Sequence, residues 1–312
     1  MMRLSVVVPV YNSADCLGEL VRRLDSELSA HGHGVEIILV DDASTDDSWS
    51  IIRGLAASHE FLTGLQLRRN AGQDNAIMAG LRAAGGDVVV VMDDDLQHDP
   101  ADIPRLCLEL EDGGWDVVYA RFGSKRQAAW KNAGSWLNDR LAVAVLGKPK
   151  DIYMSPFKAL RKDVVDEIVK YDGPFSYVDG LIFTVTGNIG QVEAEHHQRH
   201  AGRSNYNLVK SIRVWLKLAT NFSIVPLRVA TIAGGVMSLV AFLLGVFFLV
   251  QALFLERAPE GWPSLIVTVL FLGGIQLVGL GAVGEYVGRI YITQNKRPQF
   301  TIREHCGPGG SR

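Results

Sequence analysis

The 312-residue sequence contains only three cysteines, Cys16, Cys107 and Cys306, and no CxxC pair. That excludes a disulfide framework or a zinc ribbon and fits a reducing compartment. It has no excess of positive charge: 31 Lys and Arg stand against 34 Asp and Glu, for a net charge of -3. No global basic field attracts nucleic acid, so nucleic acid is not expected as a partner. There is no internal repeat and no low-complexity tract. The opening "MMRLSVVVPVYNS" turns polar too soon to read as a secretory leader.

Two long stretches lack charge altogether. Residues 229–255 and 261–284 hold no Asp, Glu, Lys or Arg. About 20 helical residues cross a hydrocarbon core of about 30 Å, so both stretches are long enough to span. The competing reading is a pair of buried helices in a large soluble core. Lys210, Arg213, Lys217 and Arg228 precede the first stretch, and Arg289, Lys296, Arg297 and Arg303 follow the second. That bias places both chain ends on the cytoplasmic side of an inner, multi-pass membrane location. The expected organisation is a soluble domain over 1–207, an interfacial amphipathic region over 208–228, two transmembrane helices at about 229–255 and 262–286, and a cytoplasmic tail over 288–312 whose end, "EHCGPGGSR", reads as flexible. In 208–222, Leu208, Ile212, Trp215, Leu216 and Leu218 alternate with Lys210, Arg213 and Lys217, which suits a helix lying at headgroup depth, or an ordinary packed helix. "GLGAVG" at 279–284 has dinucleotide-site spelling but lies inside an apolar stretch, where its glycines serve helix packing instead. Gly273, Gly274 and Gly281 permit association with a second copy.

The first 120 residues alternate strand and helix patterns. "RLSVVVPVYN" reads as a strand. Leu17, Val21, Leu24 and Leu28 then share one helix face, with Ser13 or Asn12 able to cap it. "VEIILV", "LTGLQL", "DVVVVM" and "WDVVYA" read as further strands, separated by helices. This is the pattern of an α/β, Rossmann-like, mostly parallel sheet covered on both faces. In such sheets ligands bind beyond the carboxyl ends of the strands. Tyr11, Asn12, Asp41, Asp42, Asn70 and Asp93–Asp95 all fall at those ends. Three adjacent carboxylates repel one another and resist desolvation, so a cationic partner is expected there.

Four ordered blocks, "VVVPVYN", "ILVDDASTDDS", "NAGQDNAIMAGL" and "MDDDLQHDP", resemble the family 2 glycosyltransferases, which share a nucleotide-sugar domain of GT-A type. The rest of the chain, with "AGRSNYNLVKSIRVWLKLATNFSIVPLR" and "VGRIYITQNKRPQF", resembles the branch that transfers sugars to polyprenyl phosphates. The QxxRW motif of the processive synthases is absent. The resemblance implies a nucleotide-sugar donor, UDP- or GDP-linked, a polyprenyl phosphate acceptor, and Mg²⁺ or Mn²⁺ held by Asp93, Asp95 and Gln97, with Asp94 toward the ribose or sugar. It implies donor contacts at Pro9, Tyr11, Asn12, Asp41, Asn70, Gly72 and Gln73. By residue type, Asp42 reads instead as shaping the turn, and Ser44, Thr45 and Asp46 as helix caps.

The acceptor phosphate is an anion and needs cations more than a base. Arg121, Lys131, Ser135 and Arg199 are the expected acceptor-phosphate set. Lys125 and Arg126 read equally as a solvated face or a headgroup contact. Many relatives carry "GDFR" where this chain has "MSPFK", so Pro156 stands where their proposed base would be, beside Ser155. No general base is assigned, and positioning and charge carry catalysis. His196, His197 and His200 read as a chance surface run. Alternatives in function are a different lipid or glycan acceptor, or a non-catalytic membrane subunit that binds nucleotide sugar.

Overall fold

β1 (Arg3–Val10) is apolar but for Arg3 and Ser5 and is buried along nearly its whole length, as a central strand covered on both faces must be. In the computed structural model, residues 3–30, 34–122, 152–174, 176–194, 225–254, 261–295 and 297–308 are described. The chain divides into two units, one of residues 1–205 with 296–312, the other of 206–295.

In the first unit β1 is followed by α1 (Ala14–Ala30), β2 (Gly34–Asp41), α2 (Ser48–Ser58), β3 (Leu62–Leu67), α3 (Gln73–Ala83), β4 (Val88–Val91), a 3-10 turn at Pro100–Asp102, α4 (Ile103–Asp112) and β5 (Val117–Phe122). β6 (Lys158–Arg161), α5 (Lys162–Ile168), α6 (Val178–Val185), β7 (Ile189–Ala194) and β8 (Ile302–Cys306) follow among the described residues. The eight strands among the described residues form one sheet in the order β7-β5-β6-β4-β1-β2-β3-β8. β4, β1, β2 and β3 run parallel, as do β5 and β7. β6 is antiparallel between β4 and β5, and β8 is antiparallel to β3. The mostly parallel α/β sheet expected from the sequence is therefore present, with antiparallel strands inserted and appended.

Leu17, Leu20, Val21, Leu24 and Leu28 of α1 lie in one core layer with Val6, Val8, Val90 and Met92. On the other face α3 presses against β1 so closely that a Cβ built on Gly80 would stand 2.3 Å from Val7 Cγ1. Gly72 stands at the N-cap of α3, and its φ of 92° favours glycine.

β8 corrects the expectation of a flexible end. Residues 304–306 pair with β3, Glu304 accepts from Trp49 Nε1 (3.1 Å), and Cys306 lies over Gly64. Just before it, the buried Gln299 donates to the Tyr171 and Gly173 carbonyls and accepts from Arg82.

In the second unit α7 (Val225–Phe254) and α8 (Trp262–Gln294) pack along each other and hold the uncharged stretches over 229–254 and 262–284. Among the described residues one stretch, Phe271–Gln294, is long and apolar enough to cross a membrane. The apolar run described in α7, Ala230–Leu244, is shorter than that. The expected interfacial helix at 208–222 lies outside the described residues.

Candidate active site at the carboxyl edge of the sheet

The loops after β1, β2, β3 and β4 share one edge, and each contains a residue in the left-handed region. These are Asn12 (φ 54°), Ala43 (φ 55°), Gly72 (φ 92°) and Leu96 (φ 60°). Three are not glycine, and for such residues this conformation costs about 1–2 kcal/mol each, so the surrounding structure must enforce it.

The enforcing contacts are polar. Asn12 Oδ1 accepts from Thr45 N–H (2.8 Å), and Asn12 N–H donates to Ser44 Oγ (3.0 Å). Asp46 accepts from Ala14 N–H (3.1 Å) and Ser48 N–H (3.1 Å), capping the first turns of α1 and α2 together. Asn12 and Ser13 are thus loop ties, and the α1 start is held by Asp46. Asp42 accepts from Ala71 and Gly72 N–H groups (2.6 and 2.9 Å), binding the β2 end to the loop before α3. Burial pushes the Asp42 carboxyl up, opposed by those two N–H groups.

The acidic run diverges by side chain. Asp93 accepts from Gln73 Nε2 (2.8 Å), and Asp95 accepts from the N–H of Gln97 (3.2 Å). Asp94 turns toward the β1 loop, where it accepts from Tyr11 N–H (3.3 Å) and the Ser13 hydroxyl. Burial raises the pKa of Asp94, those two bonds oppose the rise, and the Asp95 charge adds to it. A cavity of about 650 Å³ opens beside these loops, lined by Tyr11, Asn12, Thr45, Asp94 and Asp95 among others. Cys16 also lines it, its thiol pKa raised by burial and then by the Asp94, Asp15 and Asp95 charges.

The expected donor residues separate into two groups. Tyr11 (50 % exposed), Asn12, Asn70 and Gln73 are exposed at this edge. Pro9 is buried within β1 and pairs with Val40. Asp41 is fully buried, accepting from Ser44 N–H (3.2 Å) and Gln66 Nε2 (3.2 Å). Arg121 is exposed, but it lies inside β5, paired with Glu193 of β7, and not beyond the strand end. Lys131, Ser135 and Arg199 lie outside the described residues, as do Lys125, Arg126, His196, His197 and His200.

Sequence reasoning passes over two features. His98 is buried and stacked with both Phe122 and Phe157, with its Nδ1 accepting the Asp93 N–H. Lys158 and Asp179 form a buried ion pair, and Tyr119 also donates to Asp179 (2.8 Å). Lys158 sits in the "MSPFK" stretch. Its acidic partner cannot be found there, because Asp179 is supplied by α6.

Asp93, Asp95 and Gln97 offer hard oxygens that suit Mg²⁺ or Mn²⁺. Among the described residues no three His, Cys, Asp or Glu side chains are grouped to hold an ion alone. Such a site fits an ion that takes its remaining ligands from substrate phosphates and water, as Mg²⁺ commonly does.

Residues 5–169 match the family model described as Glycosyl transferase family 2. The undecaprenyl-phosphate 4-deoxy-4-formamido-L-arabinose transferase of Klebsiella pneumoniae (strain 342) is 33% identical over 304 residues, covering 96% of this chain and 93% of that protein. The prophage bactoprenol glucosyl transferase homolog of Escherichia coli (strain K12) is 32% identical, covering 97% and 99%. In fold, the chain resembles glucosyl-3-phosphoglycerate synthase from Mycobacterium tuberculosis, crystallised with Mn²⁺, uridine diphosphate and glucosyl-3-phosphoglycerate, at TM-score 0.50 and 20% identity over 70% of this chain and 78% of that one. With a model match over more than half its residues and relatives alike along nearly their whole length, this chain belongs to glycosyl transferase family 2.

Proposed function

We propose that this chain transfers one sugar from a UDP- or GDP-linked donor to polyprenyl phosphate at the cytoplasmic face of a membrane, with inversion at the anomeric carbon. The observation that carries this reading is the extent of the likeness. Two relatives named for undecaprenyl phosphate and bactoprenol are alike over 96% and 97% of this chain, a span too long to leave out either the acidic edge or the hydrophobic helices.

Asp93, Asp95 and Gln97 would hold Mg²⁺ or Mn²⁺. Such an ion, when bound, supplies positive charge against the diphosphate that departs. Gln73 orients the Asp93 carboxylate, and Asp94 braces the β1 loop through Tyr11 and Ser13. Tyr11, Asn12, Asn70, Gly72 and Gln73 line the donor edge. Pro9 and Asp41, being buried, act by shaping it.

The acceptor phosphate is ionised at neutral pH and already nucleophilic. Arg121, Lys131, Ser135 and Arg199 would draw it toward a second anion. Its oxygen forms the new bond to the anomeric carbon as the bond to the diphosphate oxygen breaks, and the electron pair leaves with the diphosphate. α7 and α8 would form a transmembrane hairpin, with the basic flanks on the cytoplasmic side.

Purified full-length protein with undecaprenyl phosphate, Mn²⁺ and a panel of radiolabelled nucleotide sugars should yield a labelled lipid with at least one donor. EDTA should abolish transfer, and Asp95→Ala should lower turnover by about a hundredfold or more. Transfer insensitive to EDTA, or Asp95→Ala at the parent rate, would exclude the metal role.

A further inference from the structure

We propose that His98 is a positioning residue for the metal-binding loop, acting through the backbone of Asp93. It stands five residues beyond Asp93, and its Nδ1 accepts the Asp93 N–H at 3.1 Å. Two rings are stacked on the imidazole, Phe122 at 5.5 Å and 2° and Phe157 at 5.1 Å and 13°. The side chain is only 3 % exposed.

Each contact ties a different strand end. Phe122 closes β5 immediately after Arg121, and Phe157 leads into β6. The acceptor nitrogen addresses the Asp93 peptide, just past the end of β4. The ring therefore fixes where that peptide sits relative to the strand that presents Arg121. The neighbouring Leu96 is in the left-handed region, so this loop is held in a costly shape and cannot rely on backbone preference alone. A neutral ring accepting at Nδ1 carries its proton on Nε2, so the acceptor role also fixes the tautomer. Without an acceptor the Asp93 N–H would be left with a desolvation penalty, and the loop would relax to relieve it.

The inference rests on the reading of Asp93 and Asp95 as metal ligands, and two substitutions separate the hydrogen bond from the packing. His98→Phe keeps an aromatic ring against Phe122 and Phe157 but has no acceptor. His98→Asn loses the ring but places an amide oxygen close to where Nδ1 stood. In full-length protein with UDP, Mn²⁺ binding measured by electron paramagnetic resonance should weaken by about tenfold in His98→Phe and stay within about threefold of the parent in His98→Asn. Without metal, amide hydrogen exchange across residues 92–97 should accelerate in His98→Phe and hold near the parent rate in His98→Asn. Parent-like affinity and exchange in His98→Phe would overturn the positioning role while leaving the metal reading intact. So would equal losses in both variants that track their loss of melting temperature. A parent protein that binds no Mn²⁺ would instead remove the metal reading, and the proposed role of His98 with it.

Discussion

Asp74 is one position along α3 from Gln73, yet its surroundings are different. Burial raises its pKa to about 6 from the usual 3.8; the Val178 N–H opposes that, the Asp179 charge adds to it, and Lys158 opposes it. A carboxyl whose folded pKa is raised is a cost to folding once ionised. Below about pH 4 both states are protonated and there is no cost. Between about 4 and 6 the cost grows, and above about 6 it is fully present; each tenfold gain in proton affinity on folding is worth about 1.4 kcal/mol. Asp74→Asn removes the charge and keeps an oxygen for the Val178 N–H. The stability of this variant relative to the parent should therefore rise from about pH 4 to 7 and then level off, as followed by urea unfolding. A difference that stays flat or falls over that range would refute this account. At this scale the sequence is legible where chemistry is concentrated: three acids after an apolar run announce themselves. His98 is not legible, because its role depends on two phenylalanines far away in the chain. Nor is the burial of Asp41, which follows from Gln66 reaching across from the next strand.

The packing of α3 on β1 depends on Gly80. Gly80→Ala would gain up to about 1 kcal/mol of helix propensity. Its new methyl would meet a stiff, β-branched valine at 2.3 Å, and overpacking of this kind costs about 1–3 kcal/mol. A net loss in thermal stability is expected; an unchanged or raised melting temperature would mean that the two elements separate easily. The strands β1 to β5 and the helices α1 to α4 can be read from periodicity, since each buries one face or both. β6 cannot be: "KALR" is four residues with a lysine at its head, and only the partner Asp179 makes that lysine acceptable inside. β8 escapes for a different reason. "IREHC" is a largely exposed edge strand without apolar alternation, and it docks through backbone pairing over the bare Gly64. Backbone pairing leaves no mark in composition.

At the scale of the molecule, α7 and α8 carry long rows of exposed apolar side chains, among them Leu239, Phe242, Phe247, Phe271, Leu277 and Leu280. Single exposed leucines are ordinary, but contiguous apolar surface of this extent marks an interaction site. The chain should sediment with membranes, resist extraction by high salt and by carbonate, and dissolve in detergent. Release by carbonate alone would contradict membrane spanning.

β7 and β8 are strands of the same sheet, and every residue of the hydrophobic pair lies between them in the chain. A polypeptide path that starts and ends on one side of a barrier must cross it an even number of times. A solitary crossing by α8 is therefore inconsistent with β8 docked on β3. Either a second stretch between residues 194 and 302 goes through with it, or none goes through at all.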